Sequence, residues 1–219
     1  MPFYLLGSFA LLLHATLGIP VGDAAKPKVL VVVHMEGRAA SDPKLAAEAA
    51  AFARDIWRPH VDVAFSRAGD IRRTIEVDQL ELVITDEILP RQPDEASGLG
   101  WIQFVNNQPS QRITVSMAAA EQLMASSSWS GTPLTTLPPS VRRQFVVRAL
   151  GRTIAHEMGH YLMRSKEHGR RGLMRDHFTA DEIMAMQYLK DRLEGDDLKR
   201  LSGRLNEYAA AMAGSRPPA

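Results

Sequence analysis

Two histidines four residues apart, with a glutamate directly after the first, stand inside the apolar run Arg152–Leu162 as His156-Glu157-Met158-Gly159-His160. On a helix, positions four apart share a face, so both imidazoles can reach one metal ion. Glu157 can then lie beside a water bound to that metal. These are the minimal parts of zinc-assisted hydrolysis: two nitrogen ligands and a carboxylate that moves the proton of the attacking water. Two histidines and a glutamate on a buried helix are costly without partners. That cost favours a metal over ordinary helix packing.

Catalytic zinc takes three protein ligands and keeps one position for water. His168 is the first histidine after the pair. Beyond Tyr161–Glu167, the residues Gly169-Arg170-Arg171-Gly172 will not continue an apolar helix. The chain is expected to turn at about Arg164 to Ser165 and bring His168 back to the metal. Gly172-Leu173-Met174 follows, then His177. Glu182, Asp181 and His177 are the rival third ligands. Thr179-Ala180-Asp181-Glu182 also reads as a helix start, with Thr179 as N-cap and Glu182 as its capping-box partner.

The motif, the further histidine and the Gly-Leu-Met together resemble the metzincin clan of zinc metallopeptidases, nearest to the matrixin type. In that clan a methionine in a tight turn lies beneath the metal site, and Met174 stands at a similar spacing, fourteen residues after His160. The clan signature places a glycine three residues, and the third histidine six residues, after the second histidine. Met163 and Lys166 occupy those positions here, and His168 stands two residues late. The likeness is specific over Thr153 to Met174 and elsewhere extends to element order alone.

The resemblance implies an α+β, zincin-like fold: a mixed sheet over a long active-site helix, with a small C-terminal helical subdomain. It implies a cleft between sheet and helix, with peptide substrates bound as an added strand along a sheet edge. It further implies a zinc-dependent endopeptidase. In that reading His156, His160 and His168 hold Zn²⁺, Glu157 is general base and then acid, and Met174 shapes the floor of the site. Two alternatives stand beside it. One is a catalytically silent zinc-binding or interaction protein on a peptidase scaffold, suggested by the displaced third histidine. The other is a thermolysin-like site completed by Glu182. Glu157 speaks against the silent reading, because a structural zinc site has no need of it. A non-peptidase zinc hydrolase is a third reading, on which nothing beyond the motif bears.

The chain has 219 residues, 45% hydrophobic and 23% charged, which suits one globular domain with a sizeable core. A net charge of +1 gives no global argument for nucleic acid. The dense Arg164, Lys166, Arg170, Arg171, Arg175 cluster reads as a solvated loop around a turn. There is no cysteine, so neither a disulfide, nor a thiolate ligand, nor cysteine-type latency is available. Residues 1–25, apolar from Phe3 to Leu13, resemble a secretory signal peptide. Residues 26–213 are then one catalytic domain, and 214–219 a disordered tail. The expected setting is secreted or periplasmic. The expected partners are a protein or peptide substrate, with no stable membrane association after signal removal and a monomeric state.

The remaining elements must position the motif. Lys28–His34, Val61–Phe65, Leu80–Thr85, Trp101–Val105 and Arg112–Ser116 read as strands, the last two joined through Asn106–Ser110. Pro43–Trp57, with proline in the first turn, and Met117–Ala125 read as helices. Ser126–Pro139 reads as a loop. Ser140 is expected to cap a helix running to about Met163 that bears the motif. Thr179–Leu193 and Asp196–Ala213 read as two C-terminal helices. The substrate edge is either Trp101–Val105 or Arg112–Ser116.

Overall fold

The computed structural model describes residues 28–67, 78–88, 98–185 and 192–214. The expected signal peptide at 1–25 lies outside the described residues, as does the tail beyond Gly214. Five strands form one mixed sheet: β1 (Lys28–Met35), β2 (Asp62–Arg67), β3 (Asp78–Thr85), β4 (Gly100–Val105) and β5 (Gln108–Ser116). Their order is β2-β1-β3-β5-β4. The first four in that order pair in parallel, and β4 runs antiparallel to β5 at the end. The β-branched run of β1 is central because a strand paired on both sides and covered on a face tolerates no polar alternation. Of the two strands weighed as edges, β5 is paired on both sides and β4 lies at the end of the sheet.

Helices α1 (Pro43–Trp57) and α3 (Pro139–Met163) pack on the sheet. Alternate residues of the central strands, Val31, Val33, Leu80, Leu82, Ile84, Ile113 and Val115, meet Ala49, Ala53, Trp57, Leu150, Ile154 and Met158 in a single core. The small alanines of α1 let α3 approach closely. At the end of α1, fully buried Trp57 donates its Nε1–H to the carbonyl of Ala155 at 2.9 Å. The residue just before the first motif histidine is thus tied to α1. The chain completes the arrangement expected of a mixed sheet over a long helix with α2 (Met117–Ser126), α4 (Ala180–Met184) and α5 (Gly195–Gly214). No helix among the described residues is long and apolar enough to cross a membrane.

Four expectations are corrected. The β4–β5 connection is two residues, Asn106 and Asn107, both at positive φ (52° and 60°). Asparagine tolerates that region, and the resulting tight turn matches strand twist. Pro109 therefore lies in β5, opposite Phe104, at a level where β5 has no second neighbour to want its missing N–H. Ser140 is not a cap: α3 starts at Pro139, with Pro138 in the N-cap place. A proline in the first turn presets φ and lacks an N–H that would go unpaired there anyway. Within the expected loop, Ser128–Trp129 and Thr132–Pro133 form a small hairpin, β6–β7. Lastly, the helix expected over Thr179–Leu193 ends at Met184, and 186–191 lie outside the described residues. Arg152 Nη1 takes the Ile183 carbonyl at 2.6 Å, and Arg148 takes that of Met184. Those carbonyls are the acceptors a continuing helix would require.

Trp57→Phe keeps an aromatic ring in place but removes the donor to Ala155 and part of the ring volume. Chemical denaturation is expected to show a loss of about 1–3 kcal/mol, the sum of one buried hydrogen bond and a small void. An unchanged midpoint would mean the tie between α1 and the motif helix contributes nothing.

Candidate metal centre

Helix α3 ends one turn past the motif because Arg164 adopts the left-handed conformation (φ 47°). Its N–H and that of Ser165 close on the last helical carbonyls, including His160 O at 3.2 Å from Ser165 N. The chain reverses as expected, and His168 returns to the helix. His156, His160 and His168 offer one ring nitrogen each, all within 4.8 Å of one another. The Nε2 atoms of His156 and His160 are 3.0 Å apart, and those of His156 and His168 are 3.1 Å apart. The His156 and His168 rings stack at 18°, and His160 stands nearly perpendicular to both. His160 is buried, His156 half-buried and His168 exposed.

The tautomers follow from the second ring nitrogens. His156 Nδ1 lies 2.9 Å from the Leu173 carbonyl, and His160 Nδ1 lies 2.6 Å from the Ser165 carbonyl. A carbonyl only accepts, so each Nδ1 carries a hydrogen and, in the neutral ring, each Nε2 presents a lone pair. Two lone pairs then face each other at 3.0 Å. Protonation does not relieve this. Burial first, then the neighbouring His160, pushes His156 down to about 3 against the pull of the Leu173 carbonyl. Burial likewise lowers His160 to about 4, opposed by Ser165 O. A cation between the nitrogens resolves the arrangement. Zn–N bonds of about 2.0–2.1 Å in tetrahedral geometry separate ligand nitrogens by about 3.3 Å, close to what is found. The donor set, three imidazoles with two of them oriented by backbone carbonyls, fits zinc in both chemistry and spacing.

The other residues singled out fall around this centre. Glu157 is buried and, with His156, lines a cleft of about 670 Å³. Its walls include Leu99, Leu123, Ala149, Phe178 and Ile183. Met174 is fully buried beneath α3; a Cβ added to Gly159 would stand 2.3 Å from its sulfur. The glycine inside the motif is what admits the methionine. Of the rival ligands, Glu182 is committed elsewhere. One oxygen accepts from Arg175 Nη1 at 2.7 Å, the other from Thr179 N at 2.9 Å and Oγ1 at 3.0 Å. Burial alone would raise its carboxyl, but these hydrogen bonds outweigh burial and hold it down at about 2. Asp181 accepts from Ser130 N at 3.0 Å, and His177 is an exposed residue of the cleft wall. None of the three joins the histidine group, so the thermolysin-like arrangement with Glu182 is corrected: that carboxylate is a cap and an arginine partner. In the basic cluster, Arg164, Lys166, Arg170 and Arg171 are exposed, while Arg175 turns inward to Glu182 and the Phe178 ring.

Sequence reading did not single out Trp57, Arg148 or Arg152. Arg152 stands one turn before His156 on the same helix face, and a buried arginine there was the available signal for a polar clamp. Trp57, at the end of an alanine-rich helix, carried none.

No protein-family model matches the chain, and no curated protein does. Among solved structures it is similar to archaemetzincin from Methanopyrus kandleri, at 17% identity and a TM-score of 0.47, over 85% of this chain and 99% of that one. This is a distant likeness, from which no residue role is taken.

The lowered histidines give a pH signature for the metal-free protein. Above pH 6.5 the rings are neutral folded or unfolded and add no pH dependence. Below it the unfolded chain binds protons that the folded chain refuses, so stability falls as pH drops from about 6.5 toward the folded values of about 4 and 3. The slope approaches about 1.4 kcal/mol per pH unit for each group. Urea titrations from pH 7.5 to 4.5 should show the decline, and His160→Gln should flatten it. An equally steep decline in that variant would refute the assignment.

Proposed function

We propose that the protein is a zinc-dependent endopeptidase. The observation that carries this reading is the pair of carbonyl-fixed imidazoles facing each other through their lone pairs, joined by His168, with Glu157 and His156 lining one cleft. His156, His160 and His168 would hold the zinc. When bound, zinc supplies Lewis-acid polarisation of the scissile carbonyl and an acidified water. Glu157 takes the proton of the attacking water and delivers it to the leaving amine, first as base and then as acid. Its burial keeps bulk water from competing for that proton.

Strand β4 would carry the substrate. Its outer edge has no strand partner among the described residues. It lies along α3, where the Phe104 ring meets His160 edge-on at 6.3 Å. An extended peptide paired to that edge passes over the histidines with its scissile bond toward Glu157. A side chain next to the scissile bond then enters the cleft. Its Leu99, Leu123, Phe178 and Ile183 walls favour a large apolar residue. Glu157 also weighs against a silent metal-binding protein, since a purely structural site gives no reason to bury a carboxylate beside its ligands.

Two experiments test this. Glu157→Gln should retain stoichiometric zinc and lose casein cleavage by about 10²–10⁴-fold, the usual span for a general base; full activity in that variant would end the mechanism. A peptide library should show large apolar residues enriched on one side of the cut, and Leu123→Glu should erase that enrichment. Cleavage indifferent to both would leave the cleft without a role in selection.

A further inference from the structure

His168 lacks the device that orients the other two histidines. His156 and His160 each place Nδ1 against a backbone carbonyl, whereas the His168 ring has no such bond among the described residues. Its neighbour Gly169 packs against a carboxylate, that of Asp197, which is only 4% exposed.

Asp197 is expensive where it stands. It lies in the first turn of α5, and its ion-pair partner Arg200 has Nη1 3.8 Å away, too far for a hydrogen bond. Burial raises its carboxyl, with Arg200 pulling the other way. A carboxylate buried with so little compensation costs stability unless another cation offsets it, and hydrolysis through Glu157 has no use for it. Its position is also closely defined. A Cβ on Gly169 would stand 3.0 Å from Asp197 Oδ2, so any larger residue after His168 would crowd the carboxylate and oblige it to shift by a few tenths of an ångström. Arg200, which pairs with Asp197, also pairs with Glu167, the residue before His168. Both neighbours of the third ligand are therefore held from one helix turn. The same segment reaches the methionine turn, where Leu173 N–H donates to the Arg192 carbonyl at 3.1 Å. Buried Leu193 and Leu201 anchor it in the core.

We propose that Asp197 is a positioning residue of the metal centre: with Arg200 it fixes the Glu167–Gly169 segment from α5, and its negative charge favours a cation on the three histidines. This rests on the metal reading above. It makes the C-terminal helix a part of the site.

The test is zinc affinity of the full chain, measured by competition with a chromophoric chelator, beside urea unfolding of the metal-free protein. Asp197→Asn is expected to weaken zinc binding by about 10- to 100-fold, the usual effect of losing an outer-shell partner. Metal-free stability should hold or rise, because an uncompensated charge is gone. A variant that loses metal-free stability while binding zinc like the parent would overturn the proposal and leave Asp197 a packing residue. Gly169→Ala gives a second route that leaves α5 intact. Its methyl displaces the carboxylate, so it should also weaken zinc binding, and combined with Asp197→Ala it should cost no more than Asp197→Ala alone. Fully additive losses would overturn the coupling. A parent that binds no zinc would overturn both this proposal and the metal reading; a parent that binds zinc, with variants that match it, overturns this one alone.

Discussion

Two imidazoles whose Nδ1 hydrogens are committed to carbonyls must meet through their Nε2 lone pairs, and in this protein they meet at 3.0 Å. Almost everything else in the structure serves that arrangement. It is unfavourable in a protein without metal, since burial makes protonation of either ring costly. A cation placed between the two nitrogens would relieve the repulsion of the lone pairs. That is the condition for tight binding: ligands already oriented and desolvated, so that little ordering entropy remains to be lost on association.

The two fixing carbonyls come from different places, and this sets what the chain must do after the helix. Ser165 O is available to His160 because Arg164 breaks the helix in the left-handed conformation directly beyond the last helical residue, Met163. Leu173 O is available to His156 because the chain from His168 doubles back, closing with Gly169 N on Met174 O at 2.7 Å. The methionine then lies under Gly159 and against the Trp57 side of the core. The loop that brings His168 to the helix thus also supplies an orienting carbonyl to His156 and the floor beneath the motif. Damage to this loop is expected to propagate to His156 without touching α3.

Much of this was legible in the sequence, and the parts that were not share a cause. Strands β1 and β3 and helices α1 and α5 follow from apolar runs, a first-turn proline and helical periodicity, all local signals. The motif spacing fixes His156 and His160 on one helix face, and Thr179 with Glu182 spells out the cap that the structure contains. The misses were decided by tertiary partners. The helix after Thr179 stops at Met184 because Arg148 and Arg152, over thirty residues earlier, take its carbonyls. The choice between β4 and β5 as the edge depends on which one β3 pairs with. The Asn106-Asn107 turn was the exception: a two-residue asparagine pair is a tight-turn signal in its own right, and Pro109 obscured it.

The place of His168 follows from the same geometry. Met163 is buried and still helical, so the helix runs on and the reversal falls at Arg164. An arginine in the left-handed region costs roughly 1–2 kcal/mol, which the capping bonds from Arg164 and Ser165 to the helix end offset. The return from that reversal brings His168 Nε2 to 3.1 Å from His156 Nε2 and gives the His168 ring no orienting carbonyl among the described residues. What borders the return instead is α5: Arg200 pairs with Glu167 on one side of His168 and with Asp197, whose carboxylate packs against Gly169, on the other. The position of the reversal therefore decides both which histidine faces the helix pair and which helix lies beside it.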